Sequence, residues 1–374
     1  MPKSVPVFAD YVPPSNRPLT IALDAMGGDK APDMVVKGAA MAHERFPEVH
    51  FLLFGQSSQL ELLLQKRKKL QDCVTIIHTD EVITGDQKPS SALRGSMNSS
   101  MRLAIRAVRE GRADAAVSAG NTGALMAVGR AVLGMLPGIR RPAIASVMPT
   151  LRGECVMLDL GANVEADANT LVQHAYMGEA FARTLFGFAA PSVGLLNVGS
   201  EMQKGRDELR QAADLLQNAP DPLRFMGFVE GDDITAGAAD VVVTDGFTGN
   251  IALKMAEGTA RLYSGFLKQT LKSSLLAQMG YVLSRPAFRR LRLRVDPRRY
   301  NGAVLLGLRG VLVKSHGGTD ALGFANAIGV GVDMVRHGFI ARVRQHFEQE
   351  LAEPQSLPPL ISPQDSAVLE SAGG

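Results

Sequence analysis

The sequence Leu23–Pro32, LDAMGGDKAP, follows the apolar run Leu19–Leu23, which predicts a buried β-strand. Pro32 is typical of the first turn of a helix, and an apolar helical pattern continues from there to Met41. A strand that ends at two glycines and leads into a helix lets a ligand approach bare backbone N–H groups at the positive helix end. The stretch therefore predicts a phosphate-binding loop or, on this motif alone, an ordinary strand-to-helix turn.

Short apolar strands alternate with amphipathic helices along the rest of the chain. This alternation predicts an α/β fold with a largely parallel sheet that is covered by helices on both faces. The clearest strands are His50–Phe54, Val74–His78, Ala115–Ser118, Ala143–Met148, Val156–Leu160, Val193–Val198, Phe225–Val229 and Val241–Thr244. The clearest helices are Ser91–Arg109, Ala168–Phe186 and Asp207–Gln217.

The length of 374 residues, 46% of them hydrophobic, suits one large α/β domain or two closely joined ones. Residues 1–18 are rich in proline and lack periodicity, so they are predicted to form a flexible N-terminal arm. Residues 353–374 have the composition of a disordered tail. Residues 19–352 are then predicted to be a single α/β catalytic domain.

Composition also restricts the class of protein and its compartment. The net charge of +3 is too small to indicate nucleic-acid binding. Cys73 and Cys155 lie in apolar runs without partner spacing, which predicts buried thiols in a reducing compartment. The sequence has neither an apolar stretch long enough to span a membrane nor a secretion signal pattern. We therefore expect a cytoplasmic protein whose membrane contact is at most peripheral.

Seven loops rich in Gly, Asn and Asp follow predicted strands, and the first of them contains Gly27 and Gly28. One such loop is ordinary turn chemistry, but in parallel sheets ligands bind beyond the carboxyl ends of the strands. Seven loops together predict one crevice lined by backbone amides and small polar side chains. The other six are residues 118–123, 159–163, 197–201, 230–232, 245–250 and 315–320.

Several common catalytic motifs are absent from the sequence. It has no dinucleotide fingerprint, no P-loop and no serine-hydrolase elbow, and neither cysteine lies in a polar loop that would activate a thiolate. His43 and Glu44 do not form a zinc helix, since position 47 is proline and no second histidine follows. The sequence therefore favours an enzyme without a covalent intermediate on the protein and without a metal.

The loops fall within seven motifs: Leu23–Pro32 (LDAMGGDKAP), Ser118–Ala124 (SAGNTGA), Leu158–Asn163 (LDLGAN), Leu195–Gly205 (LLNVGSEMQKG), Gly227–Asp232 (GFVEGD), Asp240–Lys254 (DVVVTDGFTGNIALK) and Lys314–Gly318 (KSHGG). In this order, over about residues 19–340, they resemble the PlsX family of bacterial phosphate acyltransferases. Members of that family transfer a fatty acyl chain from acyl carrier protein to inorganic phosphate, giving acyl phosphate for phospholipid synthesis. The resemblance implies a homodimer without a cofactor, with a fold like that of phosphotransacetylases and of isocitrate and isopropylmalate dehydrogenases.

Such a transfer needs no activated serine or cysteine, because phosphate is already an anionic nucleophile and a thiol is a good leaving group. It needs donors that stabilise the oxyanion of the tetrahedral intermediate. Lys204 precedes Gly205 after a strand-end loop, which suits either a charge in the crevice or a solvated lysine in the first turn of the next helix. Asn250 suits an amide donor to the carbonyl oxygen or a helix cap. The family resemblance implies that Lys204 and Asn250 are catalytic.

Other polar residues and glycines of these loops are candidates for binding phosphate or the acyl donor. We expect the aspartates to position donors, because a carboxylate beside phosphate would repel it, and Asn163 and Asp245 to orient Lys204 or Asn250. His316 suits a donor to phosphate, a proton shuttle or a loop histidine with its own partners. The remaining candidates, which shape the first loop or present donors at a helix start, are Asp24, Gly27, Gly28, Asp29, Asn121 and Thr122.

Residues 258–295 include eight basic and no acidic residues, interleaved with apolar ones. Leu267, Leu271 and Leu275 have the spacing of an apolar helical stripe. The segment predicts a dimer-contact helix or a surface for acyl carrier protein or an anionic membrane, where the downstream membrane acyltransferase would be met. Sparse aromatic residues and the lack of a binding motif disfavour nucleic acid. The basic residues expected to make this contact are Lys268, Lys272, Arg285, Arg289 and Arg290.

Taken together, the sequence favours a cytoplasmic, peripherally membrane-associated enzyme that transfers a long-chain acyl group from acyl carrier protein to phosphate, without a cofactor. One alternative is a phosphotransacetylase-type enzyme that uses coenzyme A. Another is a decarboxylating NAD(P) dehydrogenase, which would need a metal bound by Asp232, Asp233 and Asp245. A membrane-docking scaffold without enzymatic activity is the third.

Overall fold

The computed structural model describes residues 17–219 and 223–344. Residues 1–16 of the predicted arm and the whole predicted tail, 353–374, lie outside the described residues. The end of the predicted arm is attached to the domain, because the Arg17 guanidinium donates to both carboxylate oxygens of Asp114, at 2.7 and 2.8 Å.

Within the described residues, eleven strands form one sheet: β1 (Thr20–Asp24), β2 (His50–Gly55), β3 (Val74–His78), β4 (Ala115–Ser118), β5 (Ala143–Pro149), β6 (Glu154–Leu158), β7 (Ser192–Leu196), β8 (Arg224–Val229), β9 (Val241–Val243), β10 (Ala303–Leu306) and β11 (Val311–Lys314). Their spatial order is β3-β2-β1-β4-β11-β10-β5-β6-β9-β7-β8. Neighbouring strands are parallel except at the three central junctions, where β10 is antiparallel to β11 and β5, and β5 to β6. The sheet is thus two parallel blocks joined by an antiparallel centre.

Helices connect the strands and cover both faces of the sheet. They are α1 (Asp33–Arg45), α2 (Ser57–Gln65), α3 (Lys68–Gln71), α4 (Pro89–Gly95), α5 (Ser100–Arg109), α6 (Thr122–Leu133), α7 (Ala168–Phe186), α8 (Asp207–Gln217), α9 (Gly231–Ala236), α10 (Gly246–Leu271), α11 (Leu275–Leu283), α12 (Arg285–Val295) and α13 (Ala321–Arg336), with a 3₁₀ helix at Pro297–Tyr300. Ile21 and Leu23 of β1 point into one core, which includes residues of α1, α7 and α13, whereas Ala22 points into the other, with α5 and α6. Burial on both faces explains why the strands read as continuous apolar runs.

The predicted α/β class and largely parallel sheet are confirmed, and β3, β4, α7 and α8 have the predicted bounds. The predicted helix Ser91–Arg109 is instead two helices, because Ser99 caps α5 by accepting a hydrogen bond from Arg102 N. The predicted strand Val156–Leu160 ends earlier, at Leu158. Asp159 leaves the strand there and gathers the following loop around its side chain.

Candidate active site

The polar loops fall into two groups, one beyond each parallel block. The first group follows β1, β4 and β11, and the second follows β6, β7, β8 and β9. In a flat sheet the groups would lie at opposite edges, because three antiparallel junctions reverse the strand direction. Neighbouring strands rotate by about 20–25°, so the six steps from β1 to β9 amount to a rotation of about 120–150°. The loops that the sequence predicts to line one crevice therefore belong to two groups, one beyond each parallel block.

The first group is organised around the buried carboxylate of Asp24, the last residue of β1. Ser100 Oγ and Ser118 Oγ each donate a hydrogen bond to it, at 2.6 Å. Burial raises the pKa of Asp24, although these hydrogen bonds act in the opposite direction. Gly27 lies directly against the carboxylate, where a Cβ would overlap Asp24 Oδ2. Asp24 therefore fixes the glycine loop from the protein interior.

A cavity of about 620 Å³ opens beside this loop. It is lined by residues of the loops after β1, β3 and β4, and by Lys314 and Gly317. Gly28 forms part of the wall with a φ of +104°, and a Cβ there would also lie 2.9 Å from Ala119 Cβ, so the position requires glycine. Asp29 N donates to Gly317 O at 3.0 Å and joins the loops after β1 and β11.

Lys314, which ends β11, contributes the cationic part of the cavity wall. Its ammonium donates to Ala119 O at 3.4 Å and to Ser315 O. Burial lowers the pKa of Lys314 to about 8, against the opposing effect of nearby carboxylates. Lys314 was not among the predicted site residues. The available signal was a lysine that ends an apolar strand and begins the quoted motif Lys314–Gly318.

Three predicted site residues of the first group, Asn121, Thr122 and His316, differ in their exposure and hydrogen bonding. Asn121 caps α6 through Oδ1, and its Nδ2 donates to two backbone carbonyls of the loop after β3. The Asn121 amide therefore joins two loops at the wall of the cavity, and its role as a donor to a ligand stays a prediction. Thr122 is exposed at the cavity. His316 is exposed as well, and its Nδ1 accepts a hydrogen bond from Gly318 N at 3.2 Å.

The second group is built around another buried carboxylate, that of Asp159 after β6. Its oxygens accept hydrogen bonds from four backbone N–H groups and from Asn163 Nδ2, at 2.7–3.1 Å. Asn163 O in turn accepts from Gly246 N at 2.7 Å, at the start of α10. A Cβ on Gly246 or Gly249 would overlap this loop, so both glycines allow α10 to lie directly against it. Asn163 therefore fixes the start of α10, the helix that carries Asn250, and its role in orienting Lys204 or Asn250 stays a prediction.

The start of α10 is held by Asp245, the N-cap residue. Asp245 Oδ1 accepts from Thr248 N at 2.8 Å, and its other oxygen accepts from Thr248 Oγ1 and pairs with Arg206. The partner of Asp245 is thus Arg206 rather than the predicted Lys204 or Asn250. Asn250 does not cap the helix but lies in its second turn, next to Gly161, where an added Cβ would lie 3.7 Å from Asn250 Cβ.

Lys204 lies in the exposed loop between β7 and α8, before the helix rather than in its first turn. Its Nζ is 2.8 Å from Glu201 Oε2, and the hydrogen bond and charge of Glu201 raise the pKa of Lys204. The backbone of the loop is anchored nearby, because Asn197 Nδ2 donates to Lys204 O at 3.0 Å. Arg206, two residues further on, binds the start of α10. Lys204 is therefore paired within its own loop, close in sequence to a contact with the second group.

Helix α10 also carries Lys254. Lys254 lies one turn beyond Asn250, at the i+4 position, and so shares its helix face. The positive charge of Lys254 contributes to the lowered pKa of Lys314, as the smallest cause after burial and the opposing charges of Asp24 and Asp29. The Lys254 ammonium also contacts Glu257 Oε2 at 3.1 Å. Arg206, Asp159 and Lys254 were all missed as site residues, although Asp159 and Lys254 lie within quoted motifs.

Within the predicted basic amphipathic segment, residues 258–295, the end of α10 with α11 and the first part of α12, up to residue 291, forms a largely exposed surface. Leu275, Leu276 and Leu283 are 80–82% exposed. The five basic residues expected to make contacts are also exposed: Lys268, Lys272, Arg285, Arg289 and Arg290. We call this the α10–α12 surface. In the described part of the chain, no helix combines the length and the apolar character needed to cross a membrane.

A dehydrogenase of this fold would need a metal site, and the candidate ligands Asp233 and Asp245 have other roles in the structure. Asp233 belongs to the capping box at the start of α9, and Asp245 caps α10. Among residues 17–219 and 223–344, no three His, Cys, Asp or Glu side chains are grouped so that they could hold a metal ion.

Comparison with known proteins agrees with this architecture. A family model described as "Fatty acid synthesis protein" matches residues 19–342. The chain is 62% identical over 336 residues to a phosphate acyltransferase of Rhodospirillum centenum, covering 90% of this chain and 94% of that protein. It is 57% identical over 331 residues to a phosphate acyltransferase of Paramagnetospirillum magneticum, covering 88% and 94% of the two chains.

Solved structures of phosphotransacetylases have a similar fold. The phosphotransacetylase from Streptococcus pyogenes aligns with a TM-score of 0.60 and 17% identity, covering 85% of this chain and 94% of that one. The EutD phosphotransacetylase from Staphylococcus aureus aligns with a TM-score of 0.56 at the same identity and coverage. At this level of identity, the likeness shows that the fold is shared.

Proposed function

Because the chain belongs to the PlsX family of phosphate acyltransferases in fatty acid synthesis, we propose that it transfers a long-chain fatty acyl group from acyl carrier protein to inorganic phosphate. The product is an acyl phosphate for phospholipid synthesis. The observation that carries this proposal is the glycine-lined cavity beyond β1 and β4, together with the close contact that fixes the start of α10, the helix of Asn250, against the loop after β6.

The reaction that suits these residues is a direct attack of phosphate on the thioester. A phosphate oxygen forms a bond to the carbonyl carbon, the carbon–sulfur bond breaks, and the carrier's thiolate leaves and takes a proton from water. Phosphate is anionic at neutral pH and needs no base to become a nucleophile. The tetrahedral intermediate carries an oxyanion, and one well-placed donor lowers such a barrier by about 3–4 kcal/mol.

Asn250 and Lys204 have different parts in this proposal. Asn250 is on a helix whose start is fixed by Asn163 and Asp245, so its amide is a preorganised donor to the oxyanion. Lys204 exchanges its ion pair with Glu201 for the anionic substrate, since an ion pair between two solvent-exposed side chains stabilises the loop only weakly.

The test is the release of free acyl carrier protein from palmitoyl-acyl carrier protein, with and without inorganic phosphate. Wild type should show phosphate-dependent release, and Asn250→Ala and Lys204→Ala should lose about 10²-fold or more in kcat. The exposed Asn218 and Lys66 provide matched controls, Asn218→Ala and Lys66→Ala, which should keep wild-type rates. Release that survives both site substitutions discards these two residues. Turnover of acetyl coenzyme A alone would assign the short-chain phosphotransacetylase alternative. Reduction of NAD(P) with added Mg²⁺ would assign the dehydrogenase alternative.

We also propose that the α10–α12 surface mediates peripheral membrane association and contact with a second copy of the chain. Apolar side chains such as Leu275 and Leu276 and a run of basic residues without acidic ones suit the interface of an anionic membrane. Acyl phosphate with a long chain partitions into that interface, where a membrane acyltransferase would take it up. Binding of the acidic carrier protein to this surface is the alternative that vesicle binding distinguishes.

A further inference from the structure

The cavity of the first group contains a lysine that the reaction described above leaves without a role. Lys314 is largely buried, and its ammonium donates to the backbone carbonyls of Ala119 and Ser315. Within the described residues no carboxylate forms an ion pair with it. A buried ammonium without an anionic partner is unfavourable, because it has lost its hydration. A ligand of opposite charge would offset this cost.

The charged groups around Lys314 have opposing effects on its pKa. Lys254, which pairs with Glu257 Oε2 at 3.1 Å, lowers the pKa as the smallest of the causes. Asp24 and Asp29 are the carboxylates that act in the opposite direction. Asp24 is already committed to two serine hydroxyls, and Asp29 is exposed and thus screened by solvent.

The rest of the cavity wall suits an anion with polar oxygens. Thr122 and Gly123 line it at the first turn of α6, where the helix dipole is positive. Gly28 also lines the cavity and lets the first loop pack closely against Ala119 and Gly317. A volume of about 620 Å³ exceeds what phosphate alone fills and leaves room for the thioester end of an acyl donor.

We propose that Lys314 binds the inorganic phosphate that attacks the thioester. The assignment rests on the proposed function for the identity of the anion.

The test is direct binding of inorganic phosphate to the full-length protein without an acyl donor, measured by isothermal titration calorimetry. Lys314→Met should weaken phosphate binding by at least tenfold and raise the KM for phosphate while leaving the KM for acyl carrier protein unchanged. Lys37→Met on the surface of α1 is the matched control and should bind phosphate like wild type. Thermal melting checks that each variant is folded, and Lys314→Arg provides a variant that keeps the charge.

The pH dependence of binding gives a second readout that a merely structural lysine would not show. Wild-type affinity for phosphate should fall roughly tenfold between pH 7.5 and 9.5 as Lys314 loses its proton, and Lys314→Arg should remove this fall. The charges of Asp24, Asp29 and Lys254 also affect the pKa of Lys314, so phosphate binding is measured over the same pH range for Asp29→Asn and Lys254→Met. The fall should persist in both.

Two results would overturn the assignment. One is wild-type phosphate affinity in folded Lys314→Met. The other is unchanged phosphate binding together with lost binding of 4′-phosphopantetheine, which would assign the cavity to the carrier's prosthetic group. Phosphate binding is measured without acyl transfer, so failure of the carrier-release assay would discard the proposed acyl donor and leave the phosphate site standing.

Discussion

His174 lies inside α7 with both ring nitrogens buried and, within the described residues, without a hydrogen-bond partner. Burial lowers the pKa of His174 to about 4, although the negative charges of Asp159 and Asp167 act in the opposite direction. The folded protein therefore holds this ring neutral, whereas the unfolded chain protonates it below its ordinary pKa of 6.5. Its contribution to stability is complete above pH 6.5 and is lost progressively as the pH falls towards 4.

We expect His174→Leu to remove this part of the acid sensitivity. The free energy of unfolding of wild type relative to the variant should be constant above pH 7 and should decline by roughly 3 kcal/mol between pH 6.5 and 4. Urea unfolding at several pH values measures the difference, with the exposed His78→Gln as control. Parallel curves for wild type and His174→Leu over this range would show that another group causes the acid sensitivity.

Some candidate site residues could be identified from the sequence, whereas the environment of others depends on contacts between segments that are distant in the chain. Gly27 and Gly28 were identified because two glycines directly after an apolar strand are typical of a turn whose backbone lies close to a ligand or to another loop. Lys314 was missed because burial of a lysine is set by the loops after β1 and β4, which are distant in sequence. The hydrogen bonds of Asn121 to the loop after β3 were missed because they cannot be read from its own motif.

At the scale of elements, α10 depends on two glycines at its start. A Cβ on Gly249 would overlap Asp159 O, so Gly249→Ala should push the first turns of α10 away from the second group and displace Asn250. We expect kcat to fall about 10²-fold, because a shift of about 1 Å in a catalytic group has that effect. The measurement is phosphate-dependent release of acyl carrier protein.

The same helix provides the control for this substitution. Gly258→Ala is also in α10, where an added Cβ meets no atom within 4 Å. It should keep wild-type activity and raise the free energy of unfolding by about 0.5–1 kcal/mol through helix propensity. Equal activity of the two alanine variants would mean that the close contact between α10 and Asp159 does not position Asn250.

Elements were predictable where local signals were strong. The bounds of α7 and α8 followed from their apolar periodicity, which is uninterrupted. The break between α4 and α5 was missed because the sequence around Ser99 is compatible with one continuous amphipathic helix. Only the hydrogen bond that Ser99 accepts from Arg102 N shows that a new helix begins there. The end of α10 at Leu271 was not predicted, because the spacing of Leu267, Leu271 and Leu275 is compatible with one continuous helix.

At the scale of the whole molecule, the direction of the strands was the main feature beyond prediction. Alternation of strands and helices predicts parallel neighbours, and it does so correctly within each block. The strand direction reverses at β5 and β10. Strand β10 pairs antiparallel with β11 and also with β5, which is far away in the sequence. Sequence alone therefore predicted these loops but not that they belong to two blocks of opposite direction.

The α10–α12 surface is the other feature at this scale, because apolar groups that are exposed in one chain need a surrounding to cover them. Leu276→Asp with Leu283→Asp places two charges on side chains that are about 80% exposed, so the fold should be little affected. Flotation with vesicles that contain anionic lipid should be lost in this variant and retained in Leu62→Asp, an exposed leucine on α2. Wild-type binding should also weaken with salt and on neutral vesicles, because the basic residues supply part of the attraction. Flotation that persists in the double variant would place the membrane contact elsewhere. If the double variant still floats but no longer binds acyl carrier protein, the surface would be assigned to the carrier instead.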